Sequence, residues 1–161
     1  MQLVKGKNSG FCFGVERAVK TAEKLKGDNN YVLGEIIHNE TVLDNLAKKG
    51  VVTVNSVEEI DTNKFKTVII RSHGVGKDVL DSLQKKNLNV LNLTCPFVIK
   101  TQKIVEDYYG RGYQIVIVGK KEHPEVIGIN GWCNNSAIII DDENFDLTAF
   151  SAEKFCVVAQ T

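Results

Sequence analysis

Apolar residues along this chain come in short runs, each followed by a polar, often glycine-bearing segment and then by apolar positions at helical spacing. The pair Leu3 and Val4 reads as a first short strand. Val15, Ala18, Val19, Ala22 and Leu25 then recur at a 3.6-residue period, with Glu16, Lys20, Glu23 and Lys24 on the other side, which predicts an amphipathic helix ending near 27–30. Residues 31–33 read as a strand, and 34–39 lead into a helix carrying Val42, Leu43, Leu46 and Ala47, with Asn39 as its N-cap and His38 at the lip. Gly50 stops that helix. Strands follow at 51–54 and 67–70, with a helical turn at 57–60 between them. The corner 71–76 opens a helix with Val79, Leu80 and Leu83. Residues 88–93 form the next strand, and Pro96 stands at the first position of a helix through Tyr109, where its missing N–H removes no bond. A buried-type strand at 114–118, a corner at 119–128, a helix towards Trp132 and strands at 137–140 and 155–159 complete the pattern, with 141–154 mostly connection. Gln160 and Thr161 look like one more corner.

Strand and helix alternate throughout, which predicts an α/β fold with mostly parallel sheet, divided near Cys95 into a lobe over 1–95 and a second, incomplete lobe over 96–161. In such sheets the strand-to-helix corners lie at the carboxyl ends of strands, where ligands bind. The residues with the most reactive side chains fall at these corners. Cys12 sits between Gly10 and Gly14 where the first helix starts, and Cys95 sits in Thr94-Cys95-Pro96 at another helix start. A helix N-terminus favours an anion, so a thiolate there is stabilised. The chain has three histidines, and all of them, His38, His73 and His123, occupy corners. Taken singly, a corner Cys is as well explained as a small buried residue and a His as a satisfied structural one; their common placement favours one shared site.

Composition adds limits. The 161 residues are 43% hydrophobic and 25% charged, ordinary globular material. Twenty basic and twenty acidic residues cancel, so no net field attracts nucleic acid or an anionic membrane, and an acidic ligand must be held by local donors. No run is long and uncharged enough to span a bilayer, and the start has no secretory character, so a cytoplasmic location is expected. The four cysteines are scattered, without a Cys-x-x-Cys pair, as reduced thiols rather than a disulfide framework. Cys133 and Cys156 lie away from the corners and read as core or surface residues.

Cysteines and histidines at corners suit a zinc site, an iron–sulfur site or a thiol-dependent site, and a zinc-dependent hydrolase or a non-catalytic scaffold are the alternatives to a redox enzyme. Glu125 beside His123 is a candidate proton donor, although a first-turn Glu also complements the helix dipole.

The segments Gly10-Phe11-Cys12-Phe13-Gly14-Val15, Glu35-Ile36-Ile37-His38-Asn39, Ser72-His73-Gly74-Val75, Thr94-Cys95-Pro96-Phe97-Val98 and His123-Pro124-Glu125-Val126 resemble, in this order, those of the IspH/LytB family of 4-hydroxy-3-methylbut-2-enyl diphosphate reductases. The resemblance covers the whole chain. It implies a three-lobed, pseudo-symmetric α/β fold around a four-iron four-sulfur (4Fe-4S) cluster, with Cys12 and Cys95 as two of its three cysteine ligands. His38, His73, His123 and Thr161 match substrate-binding positions, and Glu125 matches the residue that feeds protons to the departing hydroxyl. The implied reaction is reductive removal of an allylic hydroxyl from a diphosphate substrate in non-mevalonate isoprenoid biosynthesis, giving isopentenyl and dimethylallyl diphosphates. An external electron donor such as ferredoxin or flavodoxin would supply the electrons, and neither nucleic acid nor membrane is an expected partner. The family's third cysteine has no counterpart here and belongs to a third lobe expected beyond Thr161, which also pairs with the N-terminal strand in relatives. Without it the chain is expected to bind a cluster poorly. Phe13 stands where many relatives carry a small residue.

Overall fold

Alternation of side chains along short strands builds the first half of the fold. The computed structural model describes residues 3–4, 6–7, 9–25, 30–37, 39–64, 67–142 and 151–161. Strands Asn30–Leu33 (β1), Val51–Val54 (β2), Thr67–Ile70 (β3) and Asn89–Asn92 (β4) form one parallel sheet in the order β2-β1-β3-β4. Val32, Val51 and Ile69 face one side, where they pack against Ala18 and Ala22 of helix Phe13–Glu23 (α1), Leu46 of helix Glu40–Ala47 (α2), Ile36 and Leu93. Tyr31, Leu33, Val54, Val68 and Ile70 face the other side, against Leu83 of helix Lys77–Lys85 (α3) and the turn residues Val57 and Ile60. Two faces covered by helices leave β1 and β3 buried throughout their apolar positions, as a parallel sheet requires. Complete burial of a side chain such as Ile69 contributes roughly 1.5–3 kcal/mol.

The second half repeats the plan on a smaller scale. Strands Gln114–Val118 (β5), Ile138–Ile140 (β6) and Phe155–Ala159 (β7) pair in parallel in the order β6-β5-β7. Ile115, Ile117 and Cys156 pack with Val105 of helix Pro96–Gly110 (α4), Val126 and Ile129 of helix Pro124–Asn130 (α5), and Cys133 of the 3₁₀ turn Gly131–Cys133. On the opposite face Val118 and Val157 are exposed. The α/β expectation with parallel sheets is thus met, and Cys133 and Cys156 are core residues.

Two details differ from the pattern. Leu3 and Val4 are not in a strand; at 87% and 85% exposure they touch little, because no strand among the described residues offers them a ladder. The first helix stops at Glu23, closer to its last buried position, Ala22, than its apolar spacing implied. The expected segments 27–29 and 143–150 lie outside the described residues.

The two sheets are locked together at the corner before α3. A Cβ on Gly131 would stand 2.5 Å from the Cα of Gly76, so the two backbones touch where neither has a side chain. Trp132 Nε1 donates to the Val75 carbonyl at 3.0 Å, and Gln102 Nε2 donates to the same oxygen at 3.3 Å. Lys77 spans the same junction, 3.1 Å from the Glu106 carboxylate. This contact brings the carboxyl ends of strands from both sheets towards one another.

Candidate active site

Cys12 is the N-cap of α1, in extended conformation, and its side chain makes no capping bond. Its carbonyl accepts the Glu16 N–H at 2.9 Å, so the backbone is committed to the helix while the exposed thiol is not. Cys95 is the N-cap of α4, with Pro96 behind it. Its N–H donates to the Ser72 carbonyl at 2.9 Å, which ties the end of β4 to the end of β3. Gly14 lets the two corners meet: a Cβ there would lie 2.8 Å from Cys95 Sγ. The sulfur of Cys95 therefore rests against the first turn of α1, the helix that Cys12 starts.

His73 follows β3, and its ring meets that of His123 edge to face, with centroids 5.3 Å apart and an interplanar angle of 84°. His123 caps α5: its Nδ1 accepts the Glu125 N–H at 3.1 Å, which puts the proton of the neutral ring on Nε2. Glu125 is only 3% exposed, and its Oε1 accepts both the N–H of Thr161 at 2.7 Å and its hydroxyl at 2.9 Å. A carboxyl removed from water needs such donors. Thr161 comes from the end of β7, so this pair joins two corners of the second sheet.

Cys12, Gly14, Val15, Ser72, His73, Cys95, Val98, His123, Glu125 and Thr161 line a single cavity of about 180 Å³. All the residues singled out for chemistry in the sequence gather there except His38, which lies outside the described residues. Ser72 was legible only as part of a motif. It is 4% exposed, and its hydroxyl has no hydrogen-bond partner among the described residues. A larger cleft of about 370 Å³ opens beside Gly34, Arg71, Gly76 and Ile127, but among the described residues no cysteine or histidine lines it. Burial there depresses the Arg71 guanidinium below its ordinary value, with Glu35 working in the opposite direction. Burial pushes the thiols of Cys133 and Cys156 up, so neither is prepared to act as a thiolate.

The donor set suits an iron–sulfur group in part. Cys12 and Cys95, two soft-ligand residues from distant corners, line one cavity, and Gly14 keeps the space beside the Cys95 sulfur clear. Among the described residues, no group of three His, Cys, Asp or Glu side chains is arranged to hold a metal ion. No helix among the described residues is long and apolar enough to cross a membrane.

Fold and cavity together define an α/β protein with a thiol, imidazole and carboxyl site at converging strand ends. Residues 3–161 match the family described as LytB protein. A protein of Thermoanaerobacter sp. (strain X514) named 4-hydroxy-3-methylbut-2-enyl diphosphate reductase is 48% identical over all of this chain and 57% of its own length, and one of the same name from Alkaliphilus oremlandii is 45% identical over 58% of its length. The solved E-1-hydroxy-2-methyl-but-2-enyl-4-diphosphate reductase of Plasmodium falciparum superposes with a TM-score of 0.84 at 28% identity, over 96% of this chain and 50% of that one. A solved (E)-4-hydroxy-3-methyl-but-2-enyl diphosphate reductase, titled the terminal enzyme of the non-mevalonate pathway, gives a TM-score of 0.77 at 41% identity, over 96% and 56%. The chain belongs to the LytB family. It spans somewhat more than half the length of the curated relatives named here.

Proposed function

We propose that this chain forms two lobes, 1–95 and 96–161, of a reductase that removes the allylic hydroxyl of 4-hydroxy-3-methylbut-2-enyl diphosphate, and that Cys12 and Cys95 supply two ligands of its 4Fe-4S cluster. The observation that carries this reading is the convergence of Cys12, Cys95, His73, His123, Glu125 and Thr161 on one cavity. The cluster, when bound, would supply electrons one at a time and an iron to polarise the hydroxyl oxygen. Two thiols leave that ligand set incomplete, and a further cysteine has to complete it.

The chain's own residues account for the rest. A diphosphate is a dense anion, and a protein with balanced charges has to meet it with local donors. His73 and His123 supply imidazole N–H groups, and His38 and Thr161 join them. Glu125 holds the proton that leaves with the hydroxyl: Thr161 Oγ1 bonds to its Oε1, and a hydroxyl both donates and accepts, so the pair can pass a proton from carboxyl to leaving oxygen. The C–O bond breaks, the oxygen departs as water, and two electrons with a second proton form a new C–H bond. The electrons come from an external carrier of the ferredoxin or flavodoxin class.

Anaerobic reconstitution with iron and sulfide tests the ligand assignment. The chain is expected to take up iron loosely and below one cluster per molecule, with a broad visible absorption that Cys12→Ser and Cys95→Ser each abolish. Absorption indifferent to both substitutions would sink the reading. In the reductase turning over with a chemical reductant, Glu125→Gln is expected to lower the rate by about 10²–10⁴-fold while the absorption stays.

A further inference from the structure

Arg17 has no part in the chemistry above, yet it is the side chain that joins the two cysteine corners. It stands on α1, little more than one turn after Cys12, and is half-buried. Its Nη2 donates to the carbonyl of Leu93 at 3.1 Å and to that of Thr94 at 2.6 Å, the two residues immediately before Cys95. These oxygens belong to the stretch between β4 and α4, where the regular ladder has ended and neither residue is in a helix. The same stretch is clamped from its other sides. Asn92 Oδ1 accepts from the Thr94 N–H at 3.0 Å, and the N–H groups of Leu93 and Cys95 donate to the carbonyls of Ile70 and Ser72. Arg17 is the only described residue of α1 whose side chain is hydrogen-bonded to this stretch.

The geometry is that of a strut. The carbonyl of Cys12 is bonded into α1, and α1 is bonded through Arg17 to the residues that deliver Cys95. Two thiols meant to share one inorganic ligand must be held at a fixed separation before the ligand arrives, since ordering them at the moment of binding weakens affinity. A planar guanidinium with several donors can hold two neighbouring carbonyls at once, which a lysine ammonium does less well. The arrangement has a cost that packing alone does not call for: Arg17 Nε is buried with no hydrogen-bond partner among the described residues.

We propose that Arg17 is a positioning residue that sets the spacing of the Cys12 and Cys95 thiols for a shared soft ligand. The proposal rests on the reading that both thiols face one site, and its test uses Cd²⁺ alone, so that it does not depend on assembling a cluster. The reduced chain, kept free of oxygen, is titrated with Cd²⁺ and the sulfur-to-cadmium charge-transfer absorption is followed, with folding checked by circular dichroism. The wild-type chain is expected to show a band that Cys12→Ser removes. Arg17→Gln is expected to weaken Cd²⁺ binding at least tenfold, and Arg17→Lys, which keeps a cationic donor and is the variant to rely on if Gln fails to fold, to fall between Gln and wild type with a loss of threefold or more. Leu83→Ala loosens the fold from the opposite face of the first sheet, away from either corner, and is expected to leave the affinity within twofold. Wild-type affinity in the folded Arg17 variants, an equal loss in Leu83→Ala, or a wild-type band that ignores Cys12 would each overturn the proposal. A chain that passes while taking up no iron–sulfur cluster would keep Arg17 in its role and remove the cluster reading instead.

Discussion

Glu125, at 3% exposure with two donors from Thr161 on one oxygen, shows how much of this site is made by single contacts between residues far apart in the chain. The cysteines divide by the same criterion of environment. Cys12 is exposed, whereas Cys133 and Cys156 are buried and their thiols are pushed up by desolvation. Iodoacetamide at neutral pH is therefore expected to label Cys12 at least tenfold faster than Cys133, with mass spectrometry reading the order; equal rates would contradict the burial. The sign for stability follows. A raised thiol pKa favours the protonated folded form, so the contribution is whole below the ordinary thiol value of about 9 and is lost as pH rises past it towards the folded value. The urea midpoint is expected to fall between pH 8 and pH 10, and to fall less in Cys133→Ser. The corner placement of these residues was legible from the sequence, since His73, Cys95, His123 and Glu125 each adjoin a glycine or proline and Cys12 lies between Gly10 and Gly14. The bond between Glu125 and Thr161 was not, because nothing local couples residues 36 positions apart.

Helices and strands followed the apolar periodicity wherever packing on one face decided them. Asn39 is a direct case: its Oδ1 accepts the Val42 N–H at 3.1 Å and so satisfies one of the unpaired donors at the start of α2. Asn39→Ala is expected to lower stability by about 1 kcal/mol in urea unfolding, and Asn39→Asp to retain most of it; an unchanged midpoint for Ala would mean that water serves the cap as well. Leu3 and Val4 mark the limit of such reading. A strand exists only when a neighbour completes its ladder, and two apolar residues in sequence carry no information about whether that neighbour is there.

At the scale of the whole molecule, the site depends on how the second sheet is held against the first. Gly76 and Gly131 touch backbone to backbone, and the bonds from Trp132 and Gln102 to the Val75 carbonyl surround that contact. Gly131→Ala forces a Cβ into the Cα of Gly76, which cannot rotate away. It is expected to cost about 1–3 kcal/mol of stability and, by moving α5, to displace His123 and Glu125 from Cys95. Thermal unfolding and the Cd²⁺ or iron uptake of the chain read the two effects; a variant as stable as wild type would show that the junction yields without strain.

Period and punctuation are local properties, set by which side chains an element must bury and by what glycine, proline and asparagine do to the next few residues. They sufficed for the order of elements, the parallel α/β class and the presence of Cys, His and Glu at the strand ends. Which of those ends face each other is a matter of strand order and of one close approach between glycines. Only folding in three dimensions could bring Cys12, Cys95, His73, His123 and Glu125 around a single cavity, because the contacts that do so join residues with no regular spacing along the chain.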